Sequence, residues 1–254
     1  MKKTLLLVAL AAIAAVGVFA QATIPPFGFS VGGGVLFDGG SAGGVTAEAS
    51  GLGVSLAHNT NVNHFGFGAW VFADATFAEL SVAFMGGPAS LSQRYSVRIP
   101  AAIAGLLGTE ESFRHSETTD GAFAAMDVSL LGKLPIKQAG GNIAAFPLLG
   151  VGFSVILSSE EVMRFDGATR PASHLNTFRI QLGGGADFGI TSRLFVRGSV
   201  LGYYRFPTRF FRDIGNDVNE WANGIVGNIP GVSSDTRARG GFGGTAKLAV
   251  GYRF

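Results

Sequence analysis

The sequence predicts an all-β protein, a closed antiparallel up-and-down transmembrane β-barrel of eight strands. Three observations predict it. Long stretches alternate apolar and polar residues at period two, with the apolar face continuous and the polar face charged. The connections between these stretches alternate long and short. The chain is apolar overall, with a mean hydropathy of +0.36, yet no internal run of 18 apolar residues could form a spanning helix. Ten strands result instead if 45–57 or 91–99 enters the wall.

Composition narrows the class further. Only 14% of the 254 residues are charged, against roughly 25% in ordinary soluble domains. Glycine reaches 39 residues, about twice its usual share. An apolar chain without spanning helices fits a barrel whose outside meets lipid. There is no cysteine, so neither a lipid-modified N-terminal Cys nor a disulfide framework is expected.

The N-terminus reads as a secretory signal over 1–20. Lys2 and Lys3 precede an apolar run from Thr4 to Val18, and Val18-Phe19-Ala20 is a small-x-small cleavage pattern. Ala20-Gln21-Ala22 offers a second site, so cleavage is expected at 20 or 22, leaving 21–254 as one barrel domain. Without Lys2 and Lys3 the 19 basic residues become 17, against 17 acidic ones. A net charge of zero gives no basic signal for nucleic acid.

In chain order, Phe27–Phe37 is the first strand, with Phe29, Val31, Val35 and Phe37 on one face and Gly28, Ser30, Gly32 and Gly34 on the other. Asp38–Asn63, rich in Gly, Ser and Asn, reads as a long loop, though Leu52, Val54 and Leu56 could extend a strand. Gly66–Phe72 is the second strand, with Trp70 and Phe72 expected outward. Phe77–Met85 is the third, with Leu80, Val82 and Phe84 outward and Glu79, Ser81 and Ala83 inward. Gly86–Gly121 reads as a loop in which Arg94–Ile99 also alternates. Ala122–Leu134 is the fourth strand, with Met126, Val128 and Leu130 outward and Asp127, Ser129 and Lys133 inward. Phe146–Leu157 is the fifth, with Leu149, Val151, Phe153, Val155 and Leu157 outward. A charged loop, 158–175, follows.

Strands six and seven form the clearest hairpin, 176–206. Phe178, Ile180, Leu182, Ala186, Phe188 and Ile190 face one way, and Arg179, Gln181, Gly183, Gly185 and Asp187 the other. Beyond the turn Thr191-Ser192-Arg193, Leu194, Val196, Val200, Tyr204 and Phe206 oppose Phe195, Arg197, Ser199, Leu201, Tyr203 and Arg205. That turn predicts a register in which Asp187 faces Arg197, Gly185 faces Ser199 and Leu182 faces Gly202. Each arm slightly exceeds the roughly 9–11 residues needed to cross a bilayer as a tilted strand. Tyr203, Tyr204 and Phe206 sit where an interfacial girdle would lie. After a long loop, 207–240, Gly241–Phe254 is strand eight.

Loops sorted by parity mark an outer-membrane barrel, with short turns at the periplasmic rim and long loops outside. In the last strand Ala246, Leu248, Val250, Tyr252 and Phe254 share a face, and the ending Val250-Gly251-Tyr252-Arg253-Phe254 resembles the assembly signal of bacterial outer-membrane proteins. The run Gly184–Thr191 followed by Leu194-Phe195-Val196-Arg197 is similar to the penultimate hairpin of the OmpA/OmpX/OmpW-type small barrels. The resemblance to this outer-membrane β-barrel domain family covers the mature chain in topology and these two motifs in residues. It implies a cell outer-membrane, multi-pass location. It also implies outer-membrane lipid and the assembly machinery as partners, the latter reading Leu248, Val250, Tyr252 and Phe254. No peptidoglycan-binding domain is expected behind the last strand.

The inward charges Glu79, Asp127, Lys133, Arg179, Asp187, Arg197, Lys247 and Arg253 make sense only inside a polar lumen. An eight-stranded lumen is just filled by side chains, so these charges should pair into an internal network. A gated narrow ion path is the functional alternative. Arg205 is expected near the outer rim. The four histidines, His58, His64, His115 and His174, all fall in predicted loops. Ser112, His115, Ser116 and Glu117 cluster in sequence but carry no geometry for hydrolysis. Gly32–Gly34 and Gly183–Gly185 lack the strand-to-helix context of a phosphate loop. No metal-ligand spacing is present, and no cofactor is expected. In the last loop Phe210, Ile214, Val218 and Trp221 recur at helical spacing, as a cap over the barrel mouth or a lipid-contacting surface would need. The expected role is non-enzymatic: a structural or surface-interaction barrel acting through long extracellular loops on a ligand the sequence does not name. The alternative is a narrow pore or small hydrophobic-compound channel.

Overall fold

In the computed structural model, residues 22–23 and 28–254 are described, apart from 52, 109, 135, 139–141, 159–163, 166–167, 170 and 227–232. The expected leader, 1–20, lies outside the described residues. Eight strands form the wall: β1 (Ser30–Gly51), β2 (Val54–Asp74), β3 (Ala78–Arg98), β4 (Ser112–Lys133), β5 (Ile143–Ser158), β6 (Thr177–Gly189), β7 (Leu194–Arg205) and β8 (Gly241–Arg253). Each pairs antiparallel with its chain neighbour, and β8 pairs with β1, so the eight close into a ring. Two helices, α1 (Ala101–Leu107) and α2 (Arg209–Val226), lie in connections at the upper end. No described helix is long and apolar enough to cross a membrane.

The alternation sets the faces. Leu80, Phe84, Leu130, Leu149, Val151, Val200, Leu248 and Val250 are exposed on the outer wall, while Glu79, Ser81, Asp127, Ser129 and Lys133 are buried inside. Leu182 is 62% exposed and its chain neighbour Gln181 0%, so adjacent residues lie on opposite sides of the wall. Aromatic pairs mark two levels on the outside. Tyr204 meets Phe206 and Phe242 at the top of β7, and Phe254 meets Tyr252 and Phe29 at the bottom. Tyr252 pairs with Leu194. Ten residues of tilted strand separate Leu194 from Tyr204, a rise of roughly 25 Å, which matches the height of a lipid-facing band.

The predicted register of the central hairpin is observed: Asp187 faces Arg197, Gly185 faces Ser199 and Leu182 faces Gly202. Small opposite large is also how the lumen fills. A methyl group on Gly32 would lie 2.5 Å from the Phe72 ring, and one on Gly185 would lie 2.7 Å from Phe146. Gly32 and Gly185 thus make room for facing rings, while Gly34 and Gly183 lie against the backbone of the paired strand.

Three expectations are corrected. Asp38–Asn63 is not a loop: β1 and β2 pair from Ser30–Asp74 up to Gly51–Val54, with one bulge between Ser41 and Gly43. The same holds for much of 86–121, where β3 and β4 pair from Ala78–Gly132 up to Arg98–Ser112. The additional segments, 45–57 and 91–99, lengthen existing strands rather than adding new ones, so the ring stays at eight. Small polar residues disfavoured in strands are held there by the ladder itself. β1 to β4 consequently rise above β5 to β7 as a tall sheet, and Ser233–Arg239 adds to it by pairing with β1.

The second correction concerns Trp70 and Phe72, which point inward and are 2% and 4% exposed. Residues 65–72 are apolar on both parities, so polarity could not choose the face. Charged partners inside choose it, as described below. Third, the histidines are not all in loops. His58 and His64 lie on β2, His115 on β4, and only His174 sits in a short 3-10 turn.

Candidate functional site: the charged lumen and its cap

The lumen is filled in layers. The lowest is centred on Arg197, which is 1% exposed. Its Nε and one terminal nitrogen donate to Asp187 at 2.7 and 2.9 Å. The other terminal nitrogen donates to Glu79 at 2.7 Å, and the shared one reaches Asp74 at 2.6 Å. Three carboxylates from β2, β3 and β6 thus converge on one guanidinium, whose planar fork suits multiple charge-assisted bonds. Phe72 lies 4.3 Å from its centre, and Phe146 and Phe195 each 5.2 Å. Lys133 pairs with Asp74 and sits 4.0 Å from Asp187. Arg253 reaches Asp187 at 3.5 Å from the lower rim. Below them a vestibule of about 650 Å³ opens at the short-turn end, lined by Ser30, Asp74, Thr76, Lys133, Asp187 and Arg253 among others.

The middle layer holds Arg179 against Asp127 at 2.6 Å, with Gln181 donating to Ser129 at 2.9 Å. Lys247 differs from the other buried cations. It has no carboxylate within ion-pair distance among the described residues, and its ammonium sits 4.6 Å from the Trp70 ring centre. Replacing Lys247 with Met is therefore expected to cost no more than about 1 kcal/mol, because no buried anion is orphaned. Urea titration of the refolded barrel checks it.

Above this, four side chains lie within hydrogen-bond distance of Asp38, and Arg179 approaches it at 3.9 Å. Thr245 donates at 2.6 Å, Tyr203 at 2.9 Å and Arg205 at 3.3 Å, while His64 Nε2 lies at 2.8 Å. Asp38, Asp74 and His64 fall outside the strands the sequence predicts, which is why they were missed. Asp38 nonetheless continues the inward parity of Ser30, Gly32 and Gly34. Tyr203, assigned to a girdle, is buried inside, and Arg205 lies at the upper end of β7 with its guanidinium on Asp38.

The top layer is apolar. Leu36, Val62, Met85, Leu91 and Phe123 from the wall pack with Phe210, Phe211 and Ile214 from α2, which are 0% exposed. The helical spacing of Phe210 and Ile214 therefore serves a plug seated in the barrel mouth. The side chains of Val218 and Trp221 lie outside the described residues.

Other candidate groups do not converge. On β4, Ser112 and Ser116 share one face and His115 and Glu117 the other, so the hydroxyls and the imidazole point apart. His174 lies 3.0 Å from Asp213 at the helix base. Among the described residues no three His, Asp or Glu gather as a metal site would require. The outward row of the last strand exposes Leu248, Val250 and Phe254, and Arg193 donates to the Tyr252 hydroxyl at 2.9 Å.

An apolar belt between two aromatic levels, around a lumen lined with charge, defines the class: an antiparallel β-barrel built inside out relative to a soluble protein. No protein-family model matches the chain, and no curated protein does. Among solved structures it is similar to the outer membrane protein OprG from Pseudomonas aeruginosa, at 10% identity over 92% of this chain and 98% of that one, with a TM-score of 0.38. It is also similar to the translocator domain of the autotransporter NalP from Neisseria meningitidis, at 11% identity over 95% and 92%, with a TM-score of 0.25.

Proposed function

We propose that the chain is a non-enzymatic outer-membrane barrel whose lumen is closed at rest and whose working surface is the tall sheet above the membrane. The observation that carries this reading is the double seal: a hydrogen-bonded ionic layer around Arg197 below, and α2 packed against apolar wall residues above. A filled lumen leaves little room for flux, whereas the extended β1–β4 sheet presents a large ordered face. The belt would sit in lipid, with residues 1–20 removed as a leader and the row Leu248, Val250, Tyr252 and Phe254 read by the assembly machinery. Transport of a small apolar compound is a second reading. It is favoured by the apolar wall that α2 covers, which would become a chamber if the helix moved aside.

Orientation is testable because the chain has no native Cys. Ser116→Cys and Ser234→Cys on the tall sheet should react with an impermeant thiol reagent on intact cells. Ser192→Cys in the β6–β7 turn should react only after the cells are broken. Labelling of Ser192→Cys alone on intact cells would invert the topology.

A further inference from the structure

The outer face of the tall sheet carries three exposed arginines. Arg94 and Arg98 lie on β3 and Arg114 on β4, all exposed. Ser96 pairs with Arg114, so Arg94 and Arg98 are its two diagonal neighbours, with spacings of about 7–8 Å. None of the three makes an ion pair or side-chain hydrogen bond among the described residues. The acids on this face hold none of the three: Glu110, two residues beyond the Ser112 that pairs with Arg98, is exposed and makes no ion pair among the described residues. Glu48 lies two strands away, reached through Ala57. Asp235 is occupied by Arg237 at 2.6 Å. Asp120 lies opposite Ser90, four residues below Arg94. The gaps between the arginines are filled by hydroxyls, Ser92, Ser96, Ser112, Ser116 and Thr118.

The direction of the triangle matters as much as its charge. The β3–β4 register runs without a shift from Ala78–Gly132 to Arg98–Ser112. Arg94 and Arg98 therefore share a face with Leu80 and Phe84, and Arg114 shares one with Leu130. If the belt sits in lipid, this face looks outward over the surrounding leaflet and away from the lumen. Pro88, beside the level of Phe65, marks the top of the apolar belt on this side. Six to ten residues of tilted strand raise Arg94 and Arg98 roughly 15 to 25 Å above it. The head-group layer of a simple phospholipid adds only about 5–8 Å per leaflet, too little to reach them.

We propose that Arg94, Arg98 and Arg114 form a docking surface for phosphate groups on the oligosaccharide heads of glycolipids in the surrounding outer leaflet. Each guanidinium offers a fork that matches a phosphate, and the serines supply hydrogen bonds to sugar hydroxyls. This rests on the outer-membrane reading above.

The test uses the full chain refolded with a glycolipid bearing a phosphorylated oligosaccharide head. Two further probes are the same glycolipid stripped of phosphate and its phosphorylated oligosaccharide released from lipid. Native mass spectrometry counts the molecules retained per barrel after detergent washing. The R94S/R98S/R114S variant should retain at least about fivefold less of the intact glycolipid than wild type. Arg237→Ser, whose guanidinium is already paired, should retain as much as wild type. The stripped glycolipid and the free oligosaccharide should each bind wild type more weakly than the intact one. Equal retention by the triple variant overturns the proposal, as does equal retention of the stripped lipid. Equal binding of the free oligosaccharide makes the source a soluble glycan and also overturns it. Failure of wild type to insert into bilayers would instead sink the membrane reading beneath it.

Discussion

Arg197→Ala should destabilise the barrel by about 3–5 kcal/mol or more, since removing one partner of a buried ionic cluster leaves the others desolvated and unpaired. The structure sharpens what the sequence suggests. With only Asp187 as partner, Arg197→Met combined with Asp187→Leu would be nearly neutral, because both charges leave together. The guanidinium also satisfies Glu79 and Asp74, so the double replacement still orphans Glu79. Asp74 keeps Lys133. Recovery should therefore require Glu79→Gln as a third change, which lowers the cost of burying that side chain from a charged to a neutral group. Denaturant unfolding of the four proteins reads this directly. A double variant as stable as wild type would mean that Glu79 draws nothing from Arg197.

The second large effect is on the outside. Leu182→Arg places a charge in mid-belt and should cost roughly 2–4 kcal/mol in a bilayer. Gln181→Arg is not harmless either, because Gln181 is fully buried beside Arg179 and Ser129. Overpacking there costs about 1–3 kcal/mol. The two differ in where the cost appears. Leu182→Arg should fold well in a detergent micelle and poorly into lipid vesicles, whereas Gln181→Arg should be impaired similarly in both. If Leu182→Arg folds into vesicles like wild type, the outward parity of β6 is not lipid-facing.

The hairpin 176–206 was legible in the sequence to the level of individual pairs. Its two faces differ in polarity at nearly every position, and a three-residue turn fixes the register. The lower halves of β3, β4 and β5 were legible for the same reason. The segment 38–63 was not, because Gly, Ser and Asn dominate it and local propensity points to loop. Its strand character comes from pairing over its full length on both sides of the tip. Trp70 and Phe72 were misplaced because an aromatic residue is equally at home against lipid and against a guanidinium. Only the positions of Lys247 and Arg197 across the lumen decide between them. The convergence of three acids on Arg197 was out of reach for a further reason. Asp74 and Glu79 lie 123 and 118 residues from it, and their closeness is a property of ring closure that no local pattern carries.

The proposed barrel is shut by the Arg197 layer below and by α2 above. Conductance of the wild-type chain across a planar lipid bilayer tests this most directly. Insertion should give no steady current, with at most rare, brief openings, and Arg197→Ala should lengthen or multiply them. A steady, ohmic current from the wild-type protein would contradict the account and put a permanently open pore in place of a sealed barrel.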